Sequence, residues 1–202
     1  MDPTHPLLAA IRDRRSIRRY RTDAVPRPTL EAVLAAAVWA PSAHNRQPWR
    51  FVVVEAAETR ERLAAAMGAR LRADLAADGL PAEAIERDAG RSYARLSAAP
   101  ALVVVCLTMA DMDTYPDTRR QGNEFLMAVQ STAMAGQNAL LAAHALGLTA
   151  CWVCAPLFCP DVVRAVLDLP ADWQPQGLIT IGYPAETREK TRAPIETRVL
   201  WK

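Results

Sequence analysis

Two short segments carry the residue types that could hold a charged, ring-containing molecule. Arg14-Arg15-Ser16-Ile17-Arg18 sets three guanidinium groups around a hydroxyl within five positions. A guanidinium meets phosphate through a fork of N–H donors, and a nearby serine adds one more. Pro41-Ser42-Ala43-His44-Asn45-Arg46-Gln47-Pro48-Trp49 is a polar stretch running into an apolar strand. Its amide side chains both donate and accept, as reading the edge of a planar heterocycle requires. Together the two segments point to a cofactor bearing a phosphate and a ring, held near the start of the chain.

Plainer roles compete at each position. Arg12, Arg19 and Arg21 read as solvated or structural charge, and Asn45 and Gln47 could satisfy loop backbone. Trp49 and Trp152 suit a core. His44 reads as a loop residue rather than an acid or base, and Asn123 and Glu124 as helix caps. No side chain stands out as a catalytic acid, base or nucleophile. The three histidines lie beside no obvious nucleophile, and neither a G-x-S-x-G, a G-x-G-x-x-G nor a Walker A sequence occurs.

The elements that must position these residues follow from periodicity. Leu7–Asp13 reads as a short helix. Leu30, Val33, Leu34, Ala37 and Val38 have helical spacing, with Pro28 as the start signal and Pro41 as the stop. Phe51–Val54 and Ala101–Leu107 read as buried strands, with two charged helices, 57–77 and 81–98, between them. Residues 119–146 read as a long helix, apolar almost all round from Phe125 onward. A chain this small has trouble burying such a helix alone, so a partner subunit is expected to cover it. Strands over 150–153 and 178–181 flank a helix over 160–168, and the apolar end Val199-Leu200-Trp201 is expected to dock on a partner.

The 202 residues suffice for one domain, residues 1–202, and a hydrophobic content of 51% marks it as globular. The net charge is only +2, yet residues 11–21 hold six arginines against Asp13 alone. Without a zinc-finger, RRM or basic-zipper pattern, this favours an anionic small ligand over nucleic acid. The stretch 125–158 is interrupted by Gln130, Gln137, Asn138 and His144, which argues against a membrane span. Met1-Asp2-Pro3-Thr4-His5 has no basic leader, so a cytoplasmic location is expected. Cys151-x-x-Cys154 with Cys159 invites a metal, but a strand turns positions three apart to opposite faces and no histidine completes a zinc spacing. No metal is expected.

The sequence resembles the FMN-dependent nitroreductase family over nearly its whole length. The resemblance rests on Arg14-Arg15-Ser16-Ile17-Arg18, on Trp39-Ala40-Pro41-Ser42 through Gln47-Pro48-Trp49, on Gly147-Leu148-Thr149-Ala150-Cys151-Trp152, and on Ile181-Gly182-Tyr183-Pro184 followed by Lys190 and Arg192. It implies an α+β fold, a three-layer α/β/α arrangement around a mixed, largely antiparallel sheet, and a homodimer with FMN at the subunit interface. Arg14, Arg15, Ser16, Ile17 and Arg18 would then hold the phosphate and ribityl chain, with Lys190 and Arg192 approaching from the C-terminal side. Ser42, Asn45 and Gln47 would sit by the ring or ribityl chain, and Trp152 and Val153 would offer backbone groups to the flavin's far edge.

Within that family, Asp74-Leu75-Ala76 through Gly79-Leu80-Pro81, Tyr115-Pro116-Asp117 and Asp168-Leu169-Pro170-Ala171-Asp172-Trp173 look like the C-terminal reductase domain of the bifunctional coenzyme F-420 biosynthesis enzyme (F-420:L-glutamate ligase). This implies an FMN-dependent oxidoreductase reducing a dehydro precursor of that deazaflavin, with Asp74 near the deazaflavin. The alternatives are a general NAD(P)H-dependent nitro or quinone reductase and a non-catalytic flavin or deazaflavin binding module.

Overall fold

Seven consecutive apolar residues, Ala101–Leu107, form a strand with every side chain buried, and the other elements assemble on it. The computed structural model describes residues 5–202; Met1–Thr4, part of the segment read for a leader, lies outside them. In chain order the elements are α1 (Pro6–Asp13), α2 (Arg27–Ala37), β1 (Trp49–Val54), α3 (Ala57–Ala77), α4 (Ala82–Ser97), β2 (Ala101–Leu107), α5 (Thr118–Ala145), β3 (Thr149–Val153), α6 (Pro160–Leu167) and β4 (Gln174–Gly182).

The strands lie in the order β1-β2-β4-β3, and every neighbouring pair is antiparallel. The expected mixed sheet is therefore corrected. Helix α5 does carry the chain from β2 to a β3 running in the same direction, but β4 slots between them, antiparallel to both. Among the described residues the parallel contact that remains is the isolated bridge Ser16↔Ala150.

Strand alternation divides the core between two faces. Ala101, Val103, Val105, Ile179 and Ile181 pack against Leu30 and Val33 of α2 and Ala139 and Ala143 of α5. Leu102, Val104, Cys106 and Leu178 pack against Leu63 and Met67 of α3, Leu96 of α4 and Val163 of α6. Each fully buried leucine or valine contributes about 1.5–3 kcal/mol relative to exposure. The result is the expected α/β/α layering.

Most boundaries shift by a residue or two from those read in the sequence, and two differences have a clear physical reason. β4 begins at Gln174, four residues before the expected Leu178. Pro175 and Gly177 are poor strand formers, and they fit because the register shifts opposite Val105 and Cys106. Helix α5 is capped by Asp117, whose side chain accepts from the Arg120 N–H at 2.9 Å. Asn123 and Glu124 are thus not caps, and Glu124 is wholly buried with Oε1 accepting from the Asp113 N–H at 3.2 Å.

Within the chain, α5 leaves Phe125, Leu126 and Met134 exposed, and Leu146 just after it is exposed too. The terminal Leu200 and Trp201 extend away at 79% and 86% exposure. None of the described helices is long and apolar enough to cross a membrane.

Candidate functional site

Helix α1 ends at Asp13, and its C-cap Arg14 turns the chain into an extended run where Ser16 bridges Ala150 of β3. This run delivers Arg14, Arg15 and Arg18 to the outer edge of the sheet, each partly buried. Their polar atoms are poorly matched. Nε and Nη1 of Arg14, Nε of Arg15 and Nε of Arg18 are buried without a hydrogen-bond partner among the described residues. The few bonds present go to carbonyls, as from Arg15 Nη1 to Arg14 O at 2.9 Å. The adjacent carboxylate, Asp13, is turned to Arg12 at 2.9 Å. Burial pushes the Arg14 guanidinium below its ordinary pKa, and the positive charges of Arg192 and then Arg15 push it the same way.

Arg192 is thus close enough to act on Arg14, although it and Lys190 lie on an exposed, irregular C-terminal segment. Ile17 differs from its neighbours. Its side chain is 5% exposed, its N–H donates to Arg15 O at 3.2 Å, and its carbonyl accepts from Tyr20 Oη at 2.9 Å. It anchors the run in the core.

The second segment is a strained loop. His44, Asn45 and Gln47 have φ of 48°, 56° and 49°. Asparagine tolerates this left-handed region, but for histidine and glutamine it costs about 1–2 kcal/mol per residue. One contact within the loop and two to the rest of the chain hold it. The Ser42 hydroxyl accepts from the Gln47 N–H at 3.1 Å, the Ala43 N–H donates to Ser131 Oγ of α5 at 3.3 Å, and Arg46 pairs with Asp113. Arg50 adds a bond to Gln47 O at 3.2 Å while pairing with Asp111 at 2.8 Å. The side chains of His44, Asn45 and Gln47 point outward, exposed. Strain of this kind, held by the surroundings, is a mark of binding loops.

The two segments do not meet within one chain. The loop leads into β1, at one edge of the sheet, whereas the arginine run lies along β3, at the other. Three strand spacings separate these edges, about 14 Å. Along α5 the loop touches Ser131, while the charge of His144 is felt at Asp13 beside the arginine run. That separation on the helix is about 20 Å at 1.5 Å per residue.

β3 is an edge strand, so alternate backbone N–H and C=O groups at its outer side are not taken up by β4. Trp152 and Val153 lie there, each half-buried. The Trp152 indole turns inward, wedged between glycines. A Cβ on Gly136 would come within 2.4 Å of the ring, and one on Gly177 within 2.5 Å. The side chain is therefore core, and what the strand edge can present is backbone.

Asp74 is exposed on α3 and lines a small cavity of about 70 Å³ with Met67, Ser92, Ala155 and Phe158. The cavity lies just past the end of β3. Arg70, also on its wall, is engaged by Asp161 at 2.6 Å. Cys106, Cys151 and Cys159 are buried, Cys154 is exposed, and no cluster suited to a metal occurs among the described residues.

Two features escaped the sequence reading. Tyr20 is the first: its hydroxyl bonds to Thr180 Oγ1 at 2.6 Å and pins the arginine run to the sheet, while burial raises its pKa so that it stays neutral. The second is a set of arginines on α4. Arg18 and Arg95 line one groove, and burial and then the charge of Arg18 lower the pKa of Arg95. The legible signal was Arg87, Arg91 and Arg95 at steps of four, a like-charged stripe that a helix disfavours.

Unmatched buried guanidiniums on an edge-strand flank suit a phosphate, and an outward-facing amide loop suits a ring. A family profile described as "Nitroreductase family" matches residues 11–183. The chain is 31% identical over 228 residues to a protein named NADH dehydrogenase from Thermus thermophilus, covering 100% of both. It is 34% identical over 201 residues to a 5,6-dimethylbenzimidazole synthase from Rhodospirillum rubrum, covering 94% of this chain and 85% of that one. A crystal structure described as a nitroreductase in complex with FMN, from Desulfovibrio desulfuricans, superposes with a TM-score of 0.76 at 29% identity, covering 98% of this chain and 97% of that one.

Proposed function

The chain belongs to the nitroreductase family, and we propose that it is an FMN-dependent oxidoreductase acting as a homodimeric NAD(P)H-dependent nitro or quinone reductase. The observation that carries this reading is the set of buried, unmatched guanidinium nitrogens on Arg14, Arg15 and Arg18. Such atoms are costly unless an anion meets them, and the cofactor of the FMN-bound relative carries a phosphate. Arg14, Arg15, Ser16 and Arg18 hold that phosphate and the ribityl chain, assisted by Lys190 and Arg192. The backbone edge at Trp152 and Val153 faces the ring.

Ser42, Asn45 and Gln47 serve the same flavin from a second copy of the chain. Their position supports this, because the loop and the arginine run lie at opposite edges of one subunit's sheet, about 14 Å apart. The exposed Phe125, Leu126 and Met134 of α5 and the exposed tail supply apolar surface for the subunit contact. Bound FMN supplies a ring that accepts two electrons as hydride and hands them on. The chain's contribution is to bind it, orient it and leave one face open, and no side chain is assigned a proton-transfer role.

Relatives named NADH dehydrogenase and NAD(P)H nitroreductase favour a general reductase over one dedicated to a deazaflavin precursor, and over a binding module without activity. Asp74, beside the cavity at the end of β3, is the residue through which a deazaflavin would be read. An Asp74→Ala variant that loses deazaflavin binding while keeping FMN would restore that narrower substrate.

Subunit mixing tests the composite site. Arg14→Met damages the phosphate side and Gln47→Ala the loop side. A heterodimer of the two has one site with both defects and one with neither. Mixed, denatured and refolded together, the variants should yield a fraction of sites with wild-type FMN affinity, which neither variant shows alone. No recovery above the separate variants would place both segments on one subunit's flavin or neither.

A further inference from the structure

We propose that Glu124 is a positioning residue for the flavin. Buried beneath the segment 108–117, it sets the Asp113 carboxylate against Arg46 and so holds the Ser42–Gln47 loop in its ligand-binding shape. This role rests on the loop's assignment to a flavin, and it falls to a residue that touches neither the loop nor the ligand.

Residues 108–117 lead from β2 to α5 and are tied on both sides. Toward the loop, the Thr108 N–H donates to Pro48 O at 2.9 Å, Asp111 pairs with Arg50 at 2.8 Å, and Asp113 pairs with Arg46. Toward α5, Glu124 Oε1 accepts from the Asp113 N–H at 3.2 Å, and Gln121 Oε1 accepts from the Tyr115 N–H at 2.9 Å. Helix α5 thus fixes Asp113 through its backbone while the Asp113 side chain grips the loop. The same face of α5 holds the loop's other end. Glu124, Ala128 and Ser131 follow one another at steps of four and three. Ala128 packs with Leu107 and Met112, and Ser131 Oγ accepts from the Ala43 N–H at 3.3 Å.

The fold alone gives little reason for a carboxyl at this position. Glu124 is wholly buried, and its Oε2 has no hydrogen-bond partner among the described residues. An unmatched buried polar atom is costly, whereas an apolar side chain of similar length would fill the space without it. What the carboxyl provides is an acceptor at the Asp113 N–H. That bond matters because the loop is strained: His44, Asn45 and Gln47 all have positive φ, and such a shape lasts only while the surroundings impose it. The Arg46–Asp113 pair is exposed, with side chains 42% and 38% accessible, and a surface pair between two free side chains holds little. Fixing one partner's backbone from the core reduces the entropy lost in forming the pair.

The test follows the loop and the flavin separately, in Glu124→Met, Glu124→Gln, Asp113→Asn and the double variant Glu124→Met with Asp113→Asn. Trypsin cleavage of the FMN-free protein after Arg46, followed by mass spectrometry, reads release of the loop, and FMN titration reads its consequence. Glu124→Met keeps length and helix propensity but loses the acceptor. It should speed cleavage and weaken FMN binding, each by about twofold to tenfold. Glu124→Gln retains an acceptor oxygen and should restore wild-type values of both. Asp113→Asn, at an exposed side chain, should reproduce the effect of Glu124→Met. The double variant should be no worse than the worse single one, because both substitutions cut one chain of contacts. Urea midpoints are measured alongside. Changes that only track a lowered midpoint, effects of the two substitutions that multiply, or a Glu124→Met chain that does not fold make Glu124 a structural residue and overturn the proposal. Unchanged cleavage after Arg46 in Glu124→Met also overturns it. Loop release at wild-type FMN affinity overturns it too, by detaching the loop from the flavin. Wild type that takes up no FMN refutes the flavoenzyme reading and the flavin role with it, while the cleavage rates still show whether Glu124 holds the loop.

Discussion

Arg14→Met should make the FMN-free protein more stable and the FMN complex weaker. Two nitrogens of Arg14 are buried without partners, and its charge lies in the field of Arg15 and Arg192. An unsatisfied buried polar group costs about 1–3 kcal/mol. Methionine keeps the apolar stem against its neighbours and removes the guanidinium. The FMN-free variant should therefore gain about 1–2 kcal/mol, at the lower part of that range because the group is only partly buried. The same change removes a charge-assisted contact to phosphate worth about 1.5–3 kcal/mol, or tenfold to a hundredfold in affinity. At FMN a hundredfold above the wild-type Kd, ligand binding stabilises wild type by about 2.7 kcal/mol and the variant by only about 0.4–1.4 kcal/mol. Urea unfolding followed by tryptophan fluorescence, with and without FMN, reads both quantities. A variant less stable without FMN and equally stabilised by it would mean that Arg14 is a structural residue, and the reasoning from unmatched guanidiniums would fail.

Other expectations follow from the geometry. Gly136→Ala forces a methyl to within 2.4 Å of the wedged Trp152 ring, so overpacking of about 1–3 kcal/mol should exceed the helix-propensity gain of about 1 kcal/mol. Gly122→Ala, on the same helix with nothing within 4 Å, should instead stabilise by up to about 1 kcal/mol, and equal urea midpoints for the two would dispose of the wedge. Ser42→Ala removes the bond to the Gln47 N–H and should cost about 0.5–1.5 kcal/mol while loosening FMN binding; an unaffected FMN titration would detach the loop from the flavin. In the native protein Cys154 should react with a thiol reagent well before Cys106, which is buried with its pKa pushed up to about 12. Because the folded state keeps the Cys106 proton after the unfolded chain has lost it, stability falls as pH rises from the unfolded thiol value toward 12. Cys106→Ala should flatten that alkaline slope, and an unchanged slope would assign it elsewhere.

Local features of the fold were legible because they depend on short-range pattern. The run Ala101–Leu107, the two charged helices α3 and α4, and the long α5 all lie within a residue of where their pattern put them. Strand order was not, since insertion of β4 between β2 and β3 is set by long-range packing rather than by any local signal. For the same reason β4 starts early: Pro175 and Gly177 look like breakers until the register shift and the indole of Trp152 explain them. In the candidate site, Arg14, Arg15 and Arg18 announced themselves by type and spacing. Their separation from the Ser42–Gln47 loop across the sheet did not, because thirty residues of sequence say nothing of which edge each takes. Arg91 and Arg95 were hidden in a charged helix where acids at nearby positions suggested a solvated face. That Arg95 has no acid partner among the described residues shows only once Asp88 is seen to be engaged by Arg87 and Arg91.

The most direct measurement is an anaerobic titration of the FMN-loaded protein, followed by the absorbance of the flavin. NADH or NADPH should bleach the colour, and a nitroaromatic or quinone should restore it with one two-electron equivalent per flavin. A flavin that neither nucleotide reduces, or whose colour returns with a deazaflavin precursor and not with nitroaromatics or quinones, would contradict the account.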